Sequence, residues 1–159
     1  MAGVVSPSDR PGLASRAKWR RGLWLWGPPA TYALALFVSS SLSAPPSPPQ
    51  QLTDKHVHGL AYAGLTLTLL RATAGGTWAG VTAVTAGKAV ALAATYGATD
   101  EWHQSFVPGR QVEMLDLGAD ALGAVATAGL VWVAAQWGRR RAPADGRITP
   151  DTGKAGHTP

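Results

Sequence analysis

The chain of 159 residues carries 14 Lys and Arg against 9 Asp and Glu, a net charge of +5, and no cysteine. No disulfide framework, thiol nucleophile or cysteine metal site is therefore available. Mean hydropathy near zero would suit a soluble protein, but the charges are segregated: residues 1–21 and 138–159 are polar and basic, and the middle holds long uncharged runs. Basic residues flanking apolar runs follow membrane topology. Nucleic-acid binding wants a basic folded surface instead, so no nucleic-acid partner is expected.

Residues 1–22 hold Arg10, Arg16, Lys18, Arg20 and Arg21 among Gly, Pro and Ser, the composition of a disordered cytoplasmic tail. Residues 23–44 contain no charge. A spanning helix needs about 20 mostly apolar residues, so this run forms the first span. Trp24 and Trp26 fall at headgroup level, with Pro28 and Pro29 tolerated near the helix start. The alternative is a signal peptide cleaved after Ala44. The length of the apolar run and Pro45 just beyond it favour a retained helix. Pro45-Pro-Ser-Pro-Pro49 then reads as a stiff extended linker.

The second apolar run, 59–70, is too short to span alone. A helix beginning near Leu52 spans by taking Asp54, Lys55, His56 and His58 to headgroup depth. Asp54, His58 and Tyr62 recur every fourth residue and share one helix face. Arg71 closes the other end and residues 72–77 turn the chain. A third helix is predicted over 77–99, and a fourth over 112–137 with small residues at Gly118, Ala119, Gly123, Ala124 and Thr127 that allow close helix approach in lipid. Arg139-Arg-Arg141 stops the last span, and residues 138–159 read as a second disordered cytoplasmic tail.

The expected architecture is thus all-α: a small polytopic bundle of four transmembrane helices over 23–137, in the plasma membrane. Eleven of the fourteen basic residues fall on one side of it, so both termini are expected in the cytoplasm. Six of the nine acids (Asp54, Asp100, Glu101, Glu113, Asp116 and Asp120) fall at the other end. The polar chemistry should face outward.

Between the third and fourth helices, Val107-Pro108-Gly109-Arg110 has Pro and Gly where a type II turn wants them. That reversal brings Glu101 and Gln104 beside Arg110 and Asp116. Arg110 opposes the dipole of the fourth helix, so Glu101 or Asp116 is its expected partner in a clamp. Asp116 and Asp120 share a face that should point into the bundle, because carboxylates facing lipid are costly. Lys88, at the centre of the predicted third helix, costs about 3 kcal/mol if left unpaired. By helix rise it lies roughly 16 Å below the outer end and Asp120 roughly 9 Å, so a Lys88–Asp120 intramembrane pair is expected.

Three blocks together carry a resemblance. Asp54-Lys55-x-x-His58-x-x-x-Tyr62, Asp100-Glu101-x-x-Gln104-x-Phe106-Val-Pro-Gly-Arg110 and Asp116-x-x-Ala119-Asp120-x-x-Gly123 resemble the VanZ-like family of bacterial membrane proteins, over about residues 50–130. Asp120 stands where many members carry asparagine. The resemblance implies a small helical membrane domain at the cell envelope with polar motifs near one face. It also implies a link to resistance to the glycopeptide teicoplanin.

The candidate ligand-site residues are therefore Asp54, Lys55, His58, Tyr62, Glu101, Gln104, Arg110, Asp116 and Asp120. One reading is a binding module, in which Arg110 and Lys55 attract the anionic group of a glycopeptide, a cell-wall precursor or a lipid. A second is a membrane enzyme acting on a lipid-linked precursor, with His58 or a carboxylate as general acid–base. A third is a proton-coupled transporter using Lys88 and Asp120. Ser105 stands too near His103 in sequence for a triad, which favours binding over catalysis. A metal site from His58, His103, Glu101 and Asp116 was weighed, but no metal-specific spacing is present. No metal and no cofactor are expected. Membrane lipids are the expected surroundings, and oligomeric state is not legible.

Overall fold

A computed structural model describes residues 11–43, 52–111 and 113–141, the side chains of 11–14 excepted. The described residues form four α-helices and no strand: α1 Pro11–Ser40, α2 Asp54–Thr73, α3 Ala83–Gln104 and α4 Met114–Arg141. The Pro45–Pro49 linker and the C-terminal tail beyond Arg141 lie outside the described residues.

The centre of the fold is the contact of α2 with α4, with α3 laid against both and α1 at the side. On α2, Tyr62, Leu65, Thr66, Leu69 and Leu70 are buried at helical spacing. They meet alanines: Ala86, Ala89 and Ala93 of α3 and Ala124, Ala128 and Ala135 of α4 are buried opposite. Small side chains on two helices let the large ones of the third fill the gap between backbones. The closest approach between helices is at Gly123, where an added Cβ would lie 2.1 Å from the Gly59 carbonyl oxygen. Only glycine permits that approach, and its presence sets how near α2 and α4 come.

Outward faces are apolar. Leu34, Val38, Leu60, Leu67, Val84, Leu122, Val125, Leu130 and Val133 are all exposed, whereas Asp100, Glu101, Gln104, Asp116 and Asp120 are buried. Among the described residues one helix, Met114–Arg141, is long and apolar enough to cross a membrane.

Several predicted boundaries move. Residues 11–22, expected as disordered tail, are the first turns of α1, opened by Pro11 at a position that suits proline. The stretch Ala17 to Leu23 is mostly good helix formers, which continue the helix without a break. Pro28 and Pro29 consequently lie inside α1 rather than near its start, and α1 stops at Ser40.

The larger shift is α3, which begins at Ala83 instead of residue 77. Residues 77–82 are tied down as a loop: Arg139 donates to the carbonyls of Trp78 and Val81, and Thr85 to that of Gly80. Thr82 then caps the helix by accepting from the Thr85 amide at 3.2 Å. Lys88 therefore lies in the second turn of α3, about 8 Å from its start, and is exposed. It forms no ion pair among the described residues, and the expected Lys88–Asp120 pair does not exist. Asp120 is at the opposite end of the bundle, bonded to His58.

Candidate functional site

The C-terminal ends of α1 and α3 and the N-terminal ends of α2 and α4 gather at one end of the fold. Their polar side chains form a connected, largely buried network. The predicted turn between α3 and α4 forms: Gly109 has φ 82° and the Arg110 amide donates to the Val107 carbonyl at 3.1 Å, the type II pattern.

His58 is the hub. Its Nδ1 lies 3.0 Å from Asp120 Oδ1, and its Nε2 lies 3.7 Å from Asp116 Oδ2. Asp120 is 1% exposed and Asp116 5%. Gly97 makes room for this arrangement, since a Cβ there would meet Asp120 Oδ2 and Tyr62 Cε1, each at 3.2 Å. Lys55, one turn nearer the mouth, donates to Asp116 Oδ1 and Glu113 Oε2, both at 2.5 Å.

A second cluster joins α1 to α3. Ser40 Oγ donates to Asp100 Oδ1 at 2.6 Å, and Gln104 Nε2 donates to Asp100 Oδ2 at 3.0 Å. Asp100 is thereby satisfied. Glu101, its neighbour, is not: it is 6% exposed, and neither carboxylate oxygen has a side-chain hydrogen-bond partner among the described residues. The ligand atoms of His58, Glu101 and Asp120 lie within 4.8 Å of one another, as do those of Asp54, His58 and Asp116.

The predicted residues thus converge in large part. Asp54, Lys55, His58, Glu101, Asp116 and Asp120 gather in one cluster, with Gln104 in the neighbouring one on Asp100. Tyr62 lies beneath it on the same face of α2, buried, its hydroxyl without a partner. Arg110 behaves differently from expectation. It makes no salt bridge to Glu101 or Asp116; its guanidinium donates to the Ser39 carbonyl at 3.4 Å. Asp116 is engaged by Lys55, and the carbonyl-rich C-terminus of α1 draws the arginine instead.

His103 also leaves the cluster, stacking on Phe37 with centroids 4.4 Å apart and bonding Ser41 Oγ at 3.0 Å. His56 serves as a cap, accepting from the Thr53 amide at 3.2 Å. Ser105 bonds the carbonyl of Trp102 and does not pair with His103, whose hydroxyl partner is Ser41. Ser40 and Glu113 were missed as site residues. Glu113 had a signal, being three residues before Asp116 at the helix start. Ser40 had none, because its partner lies sixty positions away.

The other end is basic. Arg71 stacks over Trp24 at 3.7 Å and donates to its carbonyl at 2.8 Å, and Arg139 holds the α2–α3 loop. Charge is therefore polarised along the helices, with acids at one end and arginines at the other.

No protein-family model, no curated protein and no solved structure matches the chain.

Proposed function

We propose that the chain is a VanZ-like integral membrane protein whose four helices all span the bilayer. Both termini are in the cytoplasm, and the polar end faces outward to bind a glycopeptide or the headgroup of a cell-wall lipid or peptide. The observation that carries this reading is the inversion of polarity: exposed faces are apolar while Asp100, Glu101, Asp116 and Asp120 are buried, with His58 half-buried among them, at one end. Lipid imposes that arrangement, because a charge facing hydrocarbon is costly. The helices have 30, 20, 22 and 28 residues, each meeting the roughly 20 that a span requires. Arginines at the opposite end and the three motif blocks support the same orientation and kinship.

At this polar end the residue that meets an anionic group is Arg110, beside the C-terminus of α1. Lys55 is committed to two carboxylates, while Arg110 has one long hydrogen bond and an Nε with no partner. A planar guanidinium suits a phosphate or carboxylate. Acid–base catalysis on a lipid-linked precursor is the second reading, favoured by the imidazole of His58 lying between Asp116 and Asp120. A proton-coupled transporter loses its support, since Lys88 and Asp120 do not meet.

Reporter fusions in the α3–α4 turn and after Arg141 test the topology. The reading expects opposite sides, and fusions on one side would overturn it. Arg110→Ala should weaken binding of teicoplanin or of purified lipid-linked wall precursor and leave precursor composition unchanged. A composition altered by His58→Ala would support the catalytic reading instead.

A further inference from the structure

We infer that His58, Glu101 and Asp120 form a binding site for a divalent first-row metal ion, with Asp116 supporting it from beside His58. The inference uses the same cluster as the proposed function but needs neither its topology nor its envelope ligand.

The first ground is geometric. One donor atom from each residue lies within 4.8 Å of the other two. A transition ion holds nitrogen and oxygen ligands at about 2.0–2.2 Å, so its ligands stand roughly 3–4.4 Å from one another. An ion between the three helices reaches all three donors through side-chain adjustment alone. The backbones are already positioned, because the Gly123–Gly59 approach fixes α2 against α4 and Gly97 brings α3 in.

The second ground is Glu101. A carboxylate with both oxygens buried and no partner is costly, and nearly all buried polar groups in native proteins have one. Apart from the imidazole of His58, no basic side chain among the described residues stands against it. Lys55 is held by Glu113 and Asp116, and Arg110 turns to Ser39. Asp100 shows the contrast: next in sequence and equally buried, it has a partner on each oxygen. Glu101 points at His58 and Asp120 and lacks only something positive between them.

The third ground is the donor set. One imidazole with two carboxylates suits Zn2+ or Mn2+, whereas Ca2+ takes six to eight oxygens. With one ring nitrogen on the metal, the other faces a carboxylate that orients the ring, as metal-binding histidines usually require. Asp120 lies beside Nδ1 and Asp116 beside Nε2, so with Nδ1 and Asp120 on the ion Asp116 takes that part. The alternative trio of Asp54, His58 and Asp116 is weaker, since Asp54 is exposed and Asp116 already holds Lys55. No metal spacing is visible along the chain because the three ligands come from three helices.

The test uses the full chain purified in detergent, stripped with a chelator, and dialysed separately against ZnCl2 and MnCl2. The expected result is one bound equivalent of at least one ion and a raised melting temperature. Glu101→Gln and His58→Gln should each weaken binding tenfold or more. His103→Ala, away from the cluster, should bind as the parent does. Glu101→Gln removes the unpaired charge, so its metal-free melting temperature should match or exceed that of the parent, which shows the variant folds. A parent chain that takes up neither ion, or a Glu101→Gln chain that binds like the parent, overturns the inference. Metal uptake with a failed topology map sinks only the membrane reading, and the converse sinks only this one.

Discussion

Replacing Gly123 by alanine tests the element on which the pocket depends. The new methyl would begin 2.1 Å from the Gly59 carbonyl oxygen, whereas ordinary contact starts at 3.4 Å. The obstacle is backbone, so it cannot rotate away, and α2 and α4 must part by about 1.3 Å, an overpacking that typically costs about 1–3 kcal/mol. Gly59 adjoins His58 and Gly123 is one turn from Asp120, so the parting falls on their 3.0 Å bond and stretches it past useful hydrogen-bond length. Gly118 and Gly129, on the same helix, have nothing within 4 Å of an added Cβ. Alanine at either should be neutral or add up to about 1 kcal/mol of helix stability. Thermal unfolding in detergent, followed by helical circular dichroism, compares the three. If Gly123→Ala melts with the other two, the close α2–α4 approach does not hold the pocket together.

Other consequences are simpler. Ser40→Ala strips Asp100 Oδ1 of its donor and should cost about 1–3 kcal/mol in the same unfolding assay, with Asp100→Asn restoring part of the loss in the double variant. Lys88→Ala should change stability by less than about 0.5 kcal/mol, and combining it with Asp120→Asn should give additive effects; a coupling above that size would reinstate the pair. Arg139→Ala removes donors to the Trp78 and Val81 carbonyls and should raise protease sensitivity of the α2–α3 loop, measured by limited cleavage, while the polar end keeps its ligand affinity.

Sequence alone settled what local chemistry settles. Four helices follow from four apolar stretches between turn-forming residues, and the type II turn follows from Pro108 and Gly109 in adjacent positions. The shared face of Asp54, His58 and Tyr62 follows from the period of the helix. The gathering of acids at one end was legible too, since in antiparallel helices position along the chain fixes which end a residue occupies.

Pairing was not legible. Sequence alone pairs Asp120 with Lys88 because a lysine stem can bridge depths of roughly 9 Å and 16 Å below the outer end. The depth of Lys88 rested on a start for α3 six residues too early, an error that only the loop contacts of Arg139 and Thr85 reveal. Likewise Asp116 goes to Lys55 and Arg110 to the end of α1, because partners are chosen by lateral packing that no single helix encodes. How near His58 comes to Asp120 depends on one missing methyl at Gly123, and the solitary state of Glu101 depends on its neighbours being otherwise engaged. Composition and period fix a helix and its faces, but which faces meet is decided by the sum of contacts across helices, and the pocket exists only in that sum.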